Sequence, residues 1–192
     1  MGLILSPIPT LRLGQGLSYA SDSGSDLHVP KGTTVVAVRD GDIIYSEQGH
    51  TPWMNPPDTP GSVLIRFKEP LVFKGTEYYY AWYTHLSELT RVVPDGSTPV
   101  PVKAGQVLGR TGLGNKVPHL HFGILIRRAQ EDGDFMPPGD VHQVIYGEGS
   151  PEPDAPAAVV RLKLFYHDNR WRAYLGGKEV ELESVTLEVV TK

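Results

Sequence analysis

The feature that most constrains this chain is its density of turn formers. It holds 21 glycines and 17 prolines in 192 residues, roughly a fifth of the chain against an average nearer 12%. Residues that break helices and set turns recur too often for long helices, and helical periodicity is almost absent. What remains is a series of short β-rich runs punctuated by Gly, Pro and Asp clusters. Thr33 to Val38 reads as a strand followed by a turn at Asp40-Gly41. Ile43 to Ser46 resumes a strand, and Gln48 to Gly61 is a Pro-rich loop. Ser62 to Lys68 and the aromatic run Thr76 to His85 pair through a hairpin at Lys74-Gly75. A turn at Pro94-Asp95-Gly96, a short strand near Val107-Leu108, a Gly-rich loop from Gly109 to Pro118 and a strand from His119 to Arg127 complete the main region.

A weak internal echo joins two stretches. VPKGTTVVAVRDGDII (Val29 to Ile44) and VKAGQVLGRTG (Val102 to Gly112) share an apolar residue, a Lys-Gly or Ala-Gly step, a strand and a Gly turn. The pattern occurs in barrel-sandwich hybrid folds. Carrier domains of that kind present a modifiable Lys at a hairpin tip, and no such tip is visible here. The fold class expected is therefore all-β: an antiparallel sheet of barrel-sandwich hybrid type with a duplicated motif and a short C-terminal β-appendage. Residues 1–149 form the main domain. Residues 150–158, rich in Pro, Ala and acids, read as an extended linker. Residues 159–192 form a small extension, with strands at 159–166, 170–175, 179–182 and 185–190.

Composition excludes several function classes. The chain has 18 Lys+Arg against 22 Asp+Glu, a net charge of −4. Nucleic-acid and polybasic membrane-surface binders draw their energy from a positive field that such a chain lacks. There is no cysteine, so disulfides, thiolate zinc sites and a Cys nucleophile are excluded. Any metal site must use His and carboxylates. No apolar run approaches the roughly 20 residues that span a bilayer. The opening MGLILSPIPT is short and has no basic residue ahead of it, so it does not read as a secretory signal. Either a cytoplasmic location or a non-classical route to the periplasm or cell wall is expected.

Three short segments carry chemistry. His119-Leu120-His121 lies in a strand, where residues two apart share a face. The two imidazoles project together and Leu120 points into the core, giving half of a metal or acid–base site. Read alone, the pair is weak evidence for a site, and two histidines on a solvated strand face is the simpler reading. Asp22-Ser23-Gly24-Ser25-Asp26, if extended, puts Asp22, Gly24, Asp26 and His28 on one face; read alone it is a polar loop. His85 ends the aromatic strand, with Tyr83 and Ala81 at alternate positions on its face.

In order the segments read DxGxD, PKGTTVVAVRDG, YTHLSEL, VKAGQVLGRTG and HLHFGI. This series resembles the lysostaphin/LytM-type zinc metallopeptidase family over Leu17 to Ile126. The resemblance implies a β fold and a peptidoglycan endopeptidase whose metal-activated water attacks an amide while two histidines assist. It also implies site residues. Asp26 and His121 match metal ligands, and His85 and His119 match the catalytic pair. Asp22 stands where the family has a ligand His, and Gly123 where it usually has Glu. Zinc accepts carboxylate oxygen, so Asp22, Asp26 and His121 form the expected ligand set. Two carboxylates make a harder set that shifts preference toward Mn²⁺ or similar ions. His28 is an alternative ligand in place of the missing imidazole. A substrate groove is expected between the Pro-rich loop, with Trp53 and His50, and the Gly109 to Pro118 loop, with Asn115; Tyr83 is placed there too. The alternative function is a catalytically inactive member that binds peptidoglycan or a protein partner.

Overall fold

A computed structural model describes residues 3–11, 17–19, 24–50, 57–131, 133–147, 163–167, 170–175 and 178–180. The chain divides into two compact units, Met1–Pro156 and Ala157–Lys192. In the first, nine strands form one sheet. They are β1 (Leu17–Tyr19), β2 (Ser25–Leu27), β3 (Thr34–Val36), β4 (Gly41–Gln48), β5 (Gly61–Phe73), β6 (Thr76–Leu89), β7 (Val100–Val102), β8 (Val107–Gly114) and β9 (Val117–Leu125). The order is β1-β2-β9-β8-β6-β5-β4-β7, with β9 also paired to β6 and β3 to β8. Every pairing is antiparallel, and the sheet does not close into a barrel.

Two tight turns set the register of the long strands. Lys74-Gly75 joins β5 to β6 with φ of 48° and 80°. Left-handed residues at both positions match the natural twist of a two-residue hairpin. Asn115-Lys116 does the same between β8 and β9, with φ of 50° and 65°. The segment Gly109 to Pro118, expected as a Gly-rich loop, is therefore mostly this hairpin. Its glycines mark close backbone approach rather than a loop. A Cβ on Gly109 would lie 2.1 Å from the Glu88 carbonyl oxygen.

The two faces of the sheet bury different clusters. Val63, Ile65, Ala81, Tyr83, Leu120, Phe122 and Ile124 form the main core with residues of a helix, α1 (Pro138–Tyr146). Ile44, Tyr45, Leu64, Trp82 and Leu125 form a smaller cluster on the opposite face. The alternation within β9 shows the division: Leu120, Phe122 and Ile124 are core residues, and His119 and His121 point the other way. The helix was not expected. It has only nine residues and begins with Pro-Gly, a pair that reads as a turn. Pro is tolerated at the first helical position because its missing N–H would have no partner there. Val141, Val144 and Ile145 supply its one apolar stripe.

The second unit holds an antiparallel three-stranded sheet: β10 (Lys163–His167), β11 (Arg170–Leu175) and β12 (Lys178–Val180). The expected linker at 150–158 and strand at 185–190 lie outside the described residues.

Tyr83 is fully buried, and its Oη accepts a 3.0 Å hydrogen bond from the Val38 amide. It belongs to the core rather than to a substrate groove. Tyr83→Phe would leave a buried N–H without its acceptor. The expected loss is about 1–3 kcal/mol, measured by urea denaturation.

Candidate metal centre

The site is built from a row that crosses three strands. Asp26 on β2 pairs with His121 on β9, and His121 pairs with Thr84 on β6. Directly paired residues share a face, so all three stand on the side opposite the main core. Asp26 Oδ1 lies 2.6 Å from His121 Nδ1. Because the carboxylate only accepts, the imidazole donates from Nδ1. Gly24 makes the approach of β2 possible: its φ is +125°, and a Cβ there would lie 2.4 Å from the Phe122 carbonyl oxygen.

His119 is two residues earlier on β9 and on the same face. Its Nδ1 donates to the Val117 carbonyl oxygen at 3.0 Å. In the neutral ring Nε2 is therefore the atom with a lone pair, and it lies 3.6 Å from Asp26 Oδ1. Its ring centroid is 4.9 Å from that of His85 in a T-shaped arrangement. His85 also meets His121 edge-on at 6.2 Å.

His85 reaches this face through a bulge. On β5 and β6, Val63 pairs with Tyr83 and Gly61 with Leu86, so Thr84 and His85 together oppose Ser62. Such a bulge inserts one residue and re-aims a side chain. The extra residue has φ of 63°, an uncommon region for any residue but glycine and a small stored strain. Leu86 then returns to the core. Strict alternation would put Tyr83 and Ala81 on the face of His85. The bulge breaks that relation, which is why Tyr83 lies in the core while His85 lies in the site. Gly114 completes the packing, since a Cβ there would fall 2.4 to 2.6 Å from ring atoms of His85 and His119.

Burial sets the electrostatics. It pushes the His85 pKa down to about 4, and the neighbouring His119 and His121 add to the effect against weaker opposition from Asp26 and Asp58. Burial lowers His119 too, more than the Asp26 charge raises it. For Asp26, burial acts upward. The His121 hydrogen bond and the charges of His121, His119 and His28 outweigh it and hold the carboxyl below its usual range. The Nδ1 of His85 is buried with no hydrogen-bond partner among the described residues.

Asp26 and His121 fit two corners of a carboxylate–imidazole metal site in chemistry and direction. Ligands of one tetrahedral zinc lie about 3.3 Å apart for bonds near 2.0–2.1 Å. The 2.6 Å pair would open by roughly 0.7 Å to admit the ion. Among the described residues, no three His, Asp or Glu side chains form a set able to hold a metal ion. Asp22, expected as a ligand, lies outside the described residues, as does Trp53. His28 is exposed just past β2, with its ring 5.6 Å from that of His119. It borders the cluster, and its charge helps to hold the Asp26 carboxyl low. Asn115 is exposed at the tip of the β8–β9 hairpin. His50 stacks on Tyr45 at 3.9 Å and bonds Glu47. Sequence reasoning missed Gly114, Trp82 and the Asp58-Thr59 pair. Only the Gly114 position carried a signal, as a glycine five residues before His119.

This is a β-sheet scaffold of the metallopeptidase class. Residues 20–133 match the model of peptidase family M23, and the chain belongs to that family, the lysostaphin/LytM type. No curated protein matches the chain. Among solved structures it is similar to the catalytic domain of lysostaphin from Staphylococcus simulans: identity is 25%, covering 63% of this chain and 78% of that one, with a TM-score of 0.45. It is also similar to a zinc-containing peptidase from Vibrio cholerae, at 26% identity over 59% of this chain and 29% of that one, TM-score 0.39. For whole lysostaphin the values are 22%, 79% and 57%, TM-score 0.49. The chain thus spans under a third of the Vibrio protein.

Protonation gives a test of this burial. Below pH 6.5 the unfolded chain protonates position 85, while the folded chain keeps it neutral down to about pH 4. The folded state then binds fewer protons, so stability falls with pH across that window. The depressed Asp26 carboxyl acts in the same direction at lower pH: its contribution is present above 3.8 and fades as pH drops through its folded value. In chelator-treated protein, thermal midpoints should decline from pH 6.5 to 4, and His85→Asn should flatten that decline.

Proposed function

We propose that this chain is a metal-dependent endopeptidase acting on peptide bonds of peptidoglycan. The observation that carries the reading is the meeting of Asp26 and His121 at 2.6 Å with the His85 and His119 rings beside them. Four side chains from three strands have no packing reason to converge on the face away from the main core. Asp26 and His121 would hold the ion, with Asp22 as the remaining ligand. Zinc, when bound there, supplies a Lewis acid for the scissile carbonyl and lowers the pKa of a water toward about 7.

The chain's own groups do the rest. His119 is locked by Val117 into the tautomer whose Nε2 accepts a proton, which suits a general base. His85 is held neutral by burial and meets the His119 and His121 rings edge-on, so one of its ring nitrogens carries a proton. As an N–H it donates to a developing oxyanion, and a neutral donor avoids the cost of burying charge. The exposed Asn115 stands at the rim where an extended peptide would enter. Family membership supports peptidoglycan as partner and substrate.

Aspartate at position 22, where the family has a ligand His, favours a second reading: an inactive module that binds peptidoglycan or a protein. Metal analysis separates the two. Protein purified without chelator should carry near-stoichiometric zinc or manganese, and His121→Ala should lose it. Asp22→His should tighten zinc binding and keep or raise turnover of peptidoglycan fragments. Protein that takes up no ion from excess zinc or manganese is the module instead.

A further inference from the structure

We propose that Asp58 and Thr59 are a positioning pair that sets the placement of His85 relative to His119. The inference rests on the hydrolase reading above and concerns residues that contact neither metal nor substrate. Thr59 sits just before β5, at the junction of two elements that carry the histidines. Its Oγ1 donates to the His85 carbonyl oxygen at 2.8 Å and accepts from the Leu113 amide at 2.9 Å. Its own amide donates to the Leu113 carbonyl oxygen at 2.8 Å. One residue thereby ties the bulge on β6 to strand β8.

The tie bears on His119 through the hairpin. Gly112 pairs with His119 across β8 and β9. A Cβ on Gly112 would lie 1.9 Å from Thr59 Oγ1 and 2.6 Å from the His85 carbonyl oxygen. The strand is stripped of a side chain where the hydroxyl enters. Asp58, buried next door, holds the other end of the hairpin: its Oδ1 accepts from the Lys116 amide at 2.9 Å, within the left-handed turn. Two adjacent residues therefore grip the hairpin at Leu113 and at Lys116, and the bulge at His85.

This grip answers a structural need. A non-glycine residue at φ of 63° relaxes toward ordinary geometry unless its surroundings over-determine it. Among the described residues, the Thr59 hydrogen bond fixes the His85 carbonyl at this point. Relaxation would turn the imidazole away from His119. Displacements of about 1 Å in a reacting constellation cost on the order of a hundredfold in rate.

The test compares Thr59→Val, which keeps shape but removes the hydroxyl, with Thr59→Ser, which keeps it. Each is assayed in the full chain on peptidoglycan peptide fragments, with zinc affinity and His85 imidazole ¹⁵N resonances recorded. Thr59→Val should lower kcat by about tenfold to a hundredfold, leave KM and zinc affinity within about twofold, and shift the His85 resonances. Thr59→Ser should restore kcat to within about threefold. Wild-type kcat and unshifted His85 signals in Thr59→Val would overturn the proposal, as would equal losses in the Val and Ser variants. If the wild type cleaves nothing, the hydrolase reading falls, and the resonances alone still decide the positioning. Should Thr59→Val not fold, Asp58→Ala carries the same readouts, with a lowered kcat expected and wild-type kcat and resonances counting against the pair.

Discussion

Asp26 and His121 come within 2.6 Å because β2 and β9 pair in a single register. Everything else at the site is arranged around that register. A shift of one residue would exchange faces along β2. Asp26 would turn into the main core and Leu27, now fully buried, would turn out. The apolar cost of exposing leucine, about 1.5–3 kcal/mol, and the larger cost of burying an unpaired carboxylate act together against the slip. Fold stability and site geometry are therefore enforced by the same alternation. Leu27, Leu120, Phe122 and Tyr83 fill one side, which leaves Asp26, His119 and His121 no orientation but the other.

His85 shows the limit of that mechanism. Alternation alone cannot deliver it, because its neighbours Tyr83 and Leu86 both belong to the core. The bulge resolves the conflict by giving β6 one residue more than β5. The cost is a left-handed histidine, and the surrounding packing is correspondingly tight. Gly112 and Gly114 bear no side chain, so Thr59 and the rings of His85 and His119 occupy the space. The site is thus made of one regular part, set by register, and one irregular part, set by a bulge and the contacts that hold it.

The regular part was legible in the sequence. HxH on a strand requires the two rings to share a face, and the Leu between them requires a core below. The order of segments pointed to Asp26 as their partner. The irregular part was not legible. Nothing in TEYYYAWYTHLSEL announces a bulge, because the extra residue is a histidine rather than the usual glycine. The glycines of GRTGLGNKV suggested a loop, although they are strand residues thinned for close approach. Asp58 and Thr59 lie in a Pro-rich segment where polar residues ordinarily mark solvent. Their roles depend on contacts 26 to 58 positions away in the chain, which no local pattern encodes. The helix failed for a different reason: a single apolar stripe of three residues is too short a signal against Pro-Gly.

The departure from the family pattern at Gly123 bears directly on His121. Gly123 pairs with Trp82, so the position across from the indole bears no side chain. The indole meets the His121 ring edge-on at 5.4 Å and also packs against Phe135 at 5.9 Å. A charged side chain in place of Gly123 would stand on this face and contend with that aromatic contact. Here the flank of His121 is apolar, which strengthens its interaction with Asp26 by excluding water. In the proposed ligand set, Asp22 would add a second carboxylate to that of Asp26. Two such charges repel unless a cation lies between them. Such a ligand set would therefore depend more on its ion than one with an imidazole in that position.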